Sequence, residues 1–156
     1  MLFQDGNLFP HITVTQNVGL GIRPDLRLSA EERERVAEAL GRVGLGDLGD
    51  RKPGALSGGQ QSRAALARVL VQGRPLLLLD EPFAALGPAL KAEMLDLVAA
   101  LCDETEATML MVSHDPDDAL RISTDAVLVA EGRAAAPVET RALFADPPDA
   151  LRDYLG

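Results

Sequence analysis

The sequence has few of the residues that mark several classes of protein. It contains no tryptophan, one tyrosine and one cysteine, Cys102, in 156 residues. A single cysteine cannot close an internal disulfide, so nothing indicates an oxidising compartment, and we expect Cys102 to be a small core residue. No apolar run approaches the roughly 20 residues of a membrane-spanning helix, and residues 1–7 lack the basic and apolar regions of a signal peptide. These absences exclude a membrane channel and leave open a role as the soluble part of a membrane machine.

Basic residues are also scarce. The chain has 15 Lys and Arg against 24 Asp and Glu, a net charge of −9. Proteins that bind nucleic acid electrostatically gather Lys and Arg to neutralise phosphates, so we expect no nucleic-acid partner. A chain of this length can bury roughly two thirds of its unfolded surface, which is enough for one domain with a real core.

Short apolar segments alternate with helical patterns along the chain. The predicted elements are helices over residues 29–44 and 57–73, a strand at 76–79, a helix from Pro88 through Leu101, a strand at 108–112, a short helix near 117–121, a strand at 126–130 and a last short helix after Pro148. The run at 76–79 suits a strand buried on both faces of a parallel sheet. This alternation predicts an α/β fold with a parallel sheet, whose ligands lie beyond the carboxyl ends of the strands.

The second predicted helix opens on Leu56-Ser57-Gly58-Gly59-Gln60. A helix N-terminus has unpaired N–H groups and the positive end of the helix dipole, and two glycines let an anion come close to the backbone. This pattern is suited to holding phosphate. From the spacing alone, an ordinary N-cap at Ser57 followed by an ordinary glycine loop is an equally good interpretation.

Two adjacent carboxylates, Asp80 and Glu81, follow the buried strand at once. An aspartate at the tip of such a strand can hold Mg²⁺ directly or through water. A second carboxylate beside it can orient or deprotonate an attacking water. The alternative is that Asp80 caps the next segment and Glu81 is a solvated charge.

Two further polar residues gain meaning only from their context. His114, between Ser113 and Asp115, follows the next predicted strand and could hydrogen-bond a terminal phosphate. His11 is an equally isolated histidine, and we expect it on a loop surface. Gln4 carries an amide that could bridge a metal ion and a water.

In this order, the four features resemble ABC-type ATPases. Residues 56–68 resemble the signature helix of that family, 76–82 its Walker B segment, 83–87 its D-loop, 113–115 its switch histidine and 3–4 its Q-loop. The resemblance implies a P-loop NTPase-like fold in which residues 1–156 form part of an ABC-type ATPase domain, with a helical signature subdomain over about residues 5–73. It also implies an ATP-hydrolysing subunit that works as a head-to-tail dimer with a second ABC ATPase copy.

The resemblance assigns a role to each candidate residue. Gln4 would contact Mg²⁺ and the attacking water, Asp80 would hold the water shell of the metal, Glu81 would be the general base, His114 would contact the γ-phosphate of ATP, and Leu56, Ser57, Gly58, Gly59 and Gln60 would contact the nucleotide of the other copy.

Within this family the chain is most similar to bacterial importer ATPases for thiamine or thiamine pyrophosphate. The similarity lies in residues 1–28, 110–115 and 129–133. It implies a membrane-spanning permease subunit as partner, a periplasmic binding protein as an indirect one, and a peripheral location on the cytoplasmic face of the bacterial inner membrane. The segment after Gln4 would contact the permease.

The sequence departs from the family pattern in two places. No Gly-x-x-x-x-Gly-Lys-Ser/Thr motif occurs, although its backbone N–H groups and lysine hold the β and γ phosphates in this family. We therefore expect a truncated gene product, a mis-assigned start or one part of a split gene, with an exposed edge beside strand 76–79. Gly87 also stands where the D-loop usually has aspartate, which bears on communication between the two copies.

Three other functions remain open at this stage. The chain could be a non-catalytic remnant or half-site partner that lends its signature motif to an intact ABC ATPase. It could serve an importer for another small solute. It could also be a DNA-processing ABC ATPase, although residues 5–55 contain neither the long coiled coil nor the zinc motif typical of that group.

Overall fold

A computed structural model describes residues 8–155, which form two compact units, one ending at Val112 and the other beginning at Ser113. The described part of the first unit contains α1 (Val14–Gly19), α2 (Ala30–Arg42), α3 (Gly58–Leu70), β1 (Leu76–Asp80), α4 (Pro88–Thr105) and β2 (Thr108–Val112). The second contains α5 (Pro116–Ile122), β3 (Asp125–Ala126), β4 (Val129–Ala130), β5 (Arg133–Ala134), β6 (Val138–Glu139), α6 (Thr140–Ala145) and α7 (Asp149–Leu155). The predicted helical subdomain over about residues 5–73 stays a prediction.

Three helices of the first unit begin with the same reciprocal cap. The side chains of Thr13, Ser29 and Ser57 each accept a hydrogen bond from the backbone N–H three residues on, and the residue there reaches back to the N–H of the cap. Such capping boxes satisfy N–H groups that the helix leaves unpaired. The sequence predicts α2 and α3 on this basis. It also carries the signal for α1 in Thr13 and Gln16, which our prediction missed.

The two strands of the first unit confirm the predicted parallel pairing. β1 and β2 run parallel in register from Leu76 beside Thr108 to Asp80 beside Val112. The expectation that β1 is buried on both faces is wrong. Leu77 and Leu79 are buried, but Leu76 on the opposite face is 49% exposed. Side chains alternate between the faces of a strand, and in the described part of the unit only one face of this pair is covered.

Much of the buried core of the first unit comes from α3 and α4. The core side chains of these two helices include Ala64, Ala65, Leu66, Ala67, Met94, Leu95, Val98, Leu101 and Cys102. Cys102 is buried, as predicted, and burial together with the neighbouring Asp103 raises the pKa of its thiol. A glycine lets the segment after α1 approach α3 closely: a Cβ on Gly21 would lie 2.2 Å from the backbone oxygen of Arg68.

The second unit corrects the predicted strand at 126–130. Instead of one parallel strand, the structure has β3 paired antiparallel with β6, and β4 paired antiparallel with β5. The chain turns back at Glu131 and Gly132, which both have positive φ. Two positive φ angles form the two-residue turn whose twist matches that of a hairpin, so β4 pairs with its neighbour in sequence.

Candidate functional site

The start of α3 presents a helix N-terminus at the surface. Ser57 is the N-cap, and its Oγ accepts a hydrogen bond of 3.3 Å from the N–H of Gln60. The Oε1 of Gln60 accepts one of 2.9 Å from the N–H of Ser57. Leu56 is buried and anchors this end of the helix, whereas Ser57 and Gly58 are exposed. The helix therefore begins at an exposed position, which is where a helix has its unpaired N–H groups and the positive end of its dipole.

The two glycines of this motif have different surroundings. A Cβ on Gly59 would meet the Cδ2 of Leu90 at 2.6 Å, so internal packing accounts for that glycine. A Cβ on Gly58 would meet nothing within 4 Å. Gly58 has no positive φ, so neither packing within the described residues nor backbone geometry requires a glycine there. This arrangement suits close approach by a group from outside the unit.

The carboxylates Asp80 and Glu81 stand where β1 ends beside Val112, the last residue of β2. The N–H of Glu81 donates a hydrogen bond of 3.0 Å to the backbone oxygen of Val112, which ties the turn to the neighbouring strand. Glu81 has φ of 42°, in the left-handed region. A non-glycine residue pays a steric cost there, and such residues cluster at functional sites.

Asp80 is suited to bind a cation. It is exposed, and its carboxylate has no hydrogen bond or ion pair with any described residue. No group of three or more His, Cys, Asp or Glu side chains within residues 8–155 could hold a metal on its own. Mg²⁺ commonly takes one or two carboxylates and completes its shell with water and substrate phosphates. Asp80 and Glu81 fit that partial donor set.

The turn after Glu81 leads into α4. Phe83 is buried and packs the turn against the core, and Ala84 donates a hydrogen bond of 3.3 Å to the backbone oxygen of Glu81. Gly87 is the N-cap of α4 and has no side chain to accept a hydrogen bond, while Pro88 takes the first helical position. A Cβ on Gly87 would meet nothing within 4 Å. The structure therefore has room for the aspartate that the family pattern places there.

His114 belongs to the second unit and is exposed. Side chains hold the backbone around it. The Oγ of Ser113 accepts a hydrogen bond of 3.1 Å from the N–H of Asp115 and also contacts Asp118. Asp115 caps α5 by accepting from the N–H of Asp117 at 3.0 Å. The imidazole thus follows β2 by two residues, on a loop with a fixed backbone.

The structure brings some of the predicted site residues together. Residues 56–60 form one cap, and Asp80 and Glu81 form one strand tip in the same unit. Gln4 lies outside the described residues. His11 is exposed as expected, and its ring lies edge-on to that of Phe9 with centroids 6.0 Å apart.

Two polar residues whose side chains hold the backbone through hydrogen bonds were not predicted. Asn17 is fully buried, and its amide bonds both the N–H and the carbonyl of Phe9, at 2.7 and 3.0 Å. Tyr154 donates a hydrogen bond of 2.6 Å to the backbone oxygen of His114. The first contact joins residues eight apart and the second joins residues 40 apart, and neither spacing belongs to a regular helix or strand. Tyr154 is the only tyrosine of the chain, which is the one signal that could have drawn attention to it.

Among the described helices, none combines the length and the apolar character needed to cross a membrane.

Comparisons with known proteins match these features to one family. Residues 1–84 match the family model described as ABC transporter. The chain is 68% identical over 156 residues to the thiamine import ATP-binding protein ThiQ of Cereibacter sphaeroides. The match spans all of this chain and 68% of that protein. It is 67% identical over 156 residues to the protein of the same name from a Ruegeria species, again spanning all of this chain and 68% of the relative.

A solved structure agrees with the fold. CbiO1 of Clostridium perfringens, described as part of the ABC transporter complex CbiONQ, has a TM-score of 0.83 and 34% identity. The match covers 93% of this chain and 58% of that one. The mixed α/β architecture and parallel strand pair are those of an ABC ATPase. These matches establish that the chain belongs to the ABC transporter family, as an ATPase of that family.

Proposed function

We propose that this chain acts in the ATP-hydrolysing subunit that energises import of thiamine or thiamine pyrophosphate by an ABC importer. The observation that carries the ATPase part is the placement of Asp80 and Glu81 at the end of β1, beside the end of the parallel strand β2. Ligands of parallel sheets bind beyond the carboxyl ends of the strands. Relatives named as thiamine import ATP-binding proteins, up to 68% identical, support the choice of substrate.

The two carboxylates would divide the chemistry between them. Asp80 is exposed and unpaired among the described residues, so it is the one we assign to Mg²⁺, through the water shell of the ion. The bound ion would neutralise charge on the phosphates of ATP. Glu81, half-buried and tied through its N–H to Val112, would take the proton of the attacking water. A base fixed to a strand end keeps its position as charge develops.

The start of α3 would bind the nucleotide held by a second copy. The Oγ of Ser57 serves as acceptor for the N–H of Gln60, and its hydroxyl hydrogen has no acceptor among the described residues. Ser57 can therefore donate to a phosphate oxygen. The N–H groups of Gly58 and Gly59 and the helix dipole add to this attraction. Leu56 and Gln60 hold the cap in place, and the two copies would pair head to tail.

Two further residues have roles that the family resemblance implies. His114 would donate a hydrogen bond to the γ-phosphate of ATP, from a loop whose backbone is held by Ser113 and Asp115. Gln4 would contact Mg²⁺ and the attacking water.

The segment before α1 would contact the permease at the cytoplasmic face of the inner membrane, and a periplasmic binding protein would deliver the substrate. Phe9 is 46% exposed and stacks edge-on with the exposed His11. The buried amide of Asn17 fixes the backbone of Phe9 at both its N–H and its carbonyl. An aromatic pair held in this way is a suitable contact for another protein.

A chimera tests this proposal. In it, the 156 residues of this chain replace the matching segment of the Cereibacter sphaeroides relative, in cells that lack the relative. We expect the chimera to restore uptake of labelled thiamine, and the Glu81→Gln variant to abolish it. If the chimera hydrolyses ATP but supports no thiamine uptake, the substrate assignment is wrong while the ATPase assignment stands.

A second candidate is a half-site partner that lends its signature motif to an intact ABC ATPase. The complete cap at Ser57 and the open space at Gly58 favour it, because both belong to the start of one helix and need no other part of a nucleotide site. Titration of the 156-residue chain with MgATP separates the two candidates. Measurable affinity of the chain itself for MgATP contradicts the half-site function.

A further inference from the structure

We propose that Tyr154, on the C-terminal helix α7, is a positioning residue for His114. Its hydroxyl donates a hydrogen bond of 2.6 Å to the backbone oxygen of His114, 40 residues earlier in the chain. Both residues belong to the second compact unit. The inference rests on the proposed role of His114 at the γ-phosphate and adds the group that holds the histidine in place.

The contact acts on one peptide plane. The carbonyl of His114 and the N–H of Asp115 belong to the same planar unit. Tyr154 binds the oxygen of that plane at 2.6 Å, and the Oγ of Ser113 accepts from its N–H at 3.1 Å. With both ends held, the plane cannot rotate, so the ψ of His114 and the φ of Asp115 are fixed together. The direction in which the imidazole leaves the backbone is fixed with them.

The other anchors of this loop are local or buried, which sets Tyr154 apart. Ser113 contacts Asp118, which is only 6% exposed, and the far end of α5 is joined to α6 by a hydrogen bond of 2.9 Å between Ser123 and Thr140. Tyr154 is 61% exposed, so its ring adds little to the core. Its hydroxyl is thus suited to orient the loop without contributing much to the stability of the unit.

Hydrogen exchange on the full 156-residue chain tests the contact without nucleotide. Tyr154→Phe removes only the hydroxyl, and we expect exchange at the N–H of Asp115 to rise about fivefold, since one hydrogen bond of ordinary strength is lost. Exchange within α2 should not change, which shows that the variant is folded. Asp153→Asn, on the same helix and outside these contacts, is the matched control and should change neither. Unchanged exchange at Asp115 in Tyr154→Phe overturns the proposal.

Ser113→Ala provides a second variant that releases the same peptide plane from its other end. We expect it also to speed exchange at Asp115, and the double variant with Tyr154→Phe to exceed either single change. A double variant no faster than Ser113→Ala alone shows that Tyr154 does not hold the plane.

Kinetics of the chimera separate this proposal from the proposed function. Tyr154→Phe should lower kcat about two- to tenfold with little change in the KM for ATP, because a misplaced group costs most in the transition state. In a His114→Ala background the same change should have no further effect on kcat. A loss with His114→Ala but none with Tyr154→Phe rejects the positioning role and leaves the function intact. No loss with His114→Ala rejects the role of the histidine itself.

Discussion

Two adjacent glycines at the start of α3 differ in what requires them. Gly59 lies against the side chain of Leu90 in α4, whereas a Cβ on Gly58 would enter open space. A glycine in the interior of a helix costs roughly 0.5–1 kcal/mol relative to alanine, and a smaller cost applies at the first position, so a glycine that no described residue requires indicates an outside requirement. In the proposed function that requirement is the phosphate of the nucleotide held by the other copy.

Alanine at each position tests this difference. Gly58→Ala should leave the free energy of unfolding unchanged or raise it by a few tenths of a kcal/mol, while ATP hydrolysis by the chimera falls at least tenfold. Gly59→Ala should be about 1 kcal/mol less stable than Gly58→Ala, because Leu90 must move. Urea denaturation and phosphate release measure the two quantities. Normal hydrolysis by Gly58→Ala would show that no nucleotide approaches this glycine.

At the scale of elements, α4 ends in a residue that fits its backbone poorly. Glu106 is the C-cap, has φ of 53° and donates its N–H to the oxygen of Cys102. The left-handed conformation is usual at this position, and glycine adopts it without the steric cost that a side chain brings. The carboxylate of Glu106 has no hydrogen bond or ion pair within residues 8–155.

Glu106→Gly should therefore raise the free energy of unfolding by about 0.5–1 kcal/mol. Glu106→Ala is the matched control, because it removes the same carboxylate and keeps the Cβ, and it should be close to the wild type. Urea denaturation followed by circular dichroism measures both variants. Equal stability of the two variants would mean that the backbone conformation does not set the cost.

The elements that the sequence predicts are those with local signals. Capping boxes begin α2 and α3, and the run of leucines with its acidic end gives β1. The prediction of one strand at 126–130 was wrong because the apolar pattern does not show the turn at Glu131 and Gly132. This turn pairs β4 with β5. The prediction that β1 is buried on both faces failed for another reason. An apolar run indicates a strand but does not show which neighbours cover it.

The candidate site divides in the same way. The places of Asp80, Glu81 and residues 56–60 could be predicted, because each stands at a position that its own element defines, while their roles stay a prediction. Tyr154 could not, since its partner His114 is 40 residues away and only the tertiary structure brings the two together. Asn17 is similar, because its bonds to Phe9 depend on the fold of a loop.

At the scale of the whole molecule, the order of the motifs identifies the family. The chain spans 68% of the length of its Cereibacter sphaeroides relative, and residues 56–60, the carboxylates Asp80 and Glu81, and His114 follow one another in the order that the family resemblance implies. The face of the strand pair that bears Leu76, Leu110 and Val112 is about half exposed, at 49%, 57% and 55%. In the proposed function, Asp80 and Glu81 at the carboxyl end of this strand pair meet the nucleotide.

ATP hydrolysis by the purified chimera, compared between wild type and Glu81→Gln, tests the central claim most directly. Glutamine keeps the size of the side chain and removes the base, so MgATP affinity should remain while kcat falls at least 100-fold. The control is Glu93→Gln, which alters an exposed glutamate paired with Arg63 and should hydrolyse ATP at the wild-type rate. Wild-type turnover by Glu81→Gln would contradict the assignment of the catalytic base, and with it the proposed mechanism.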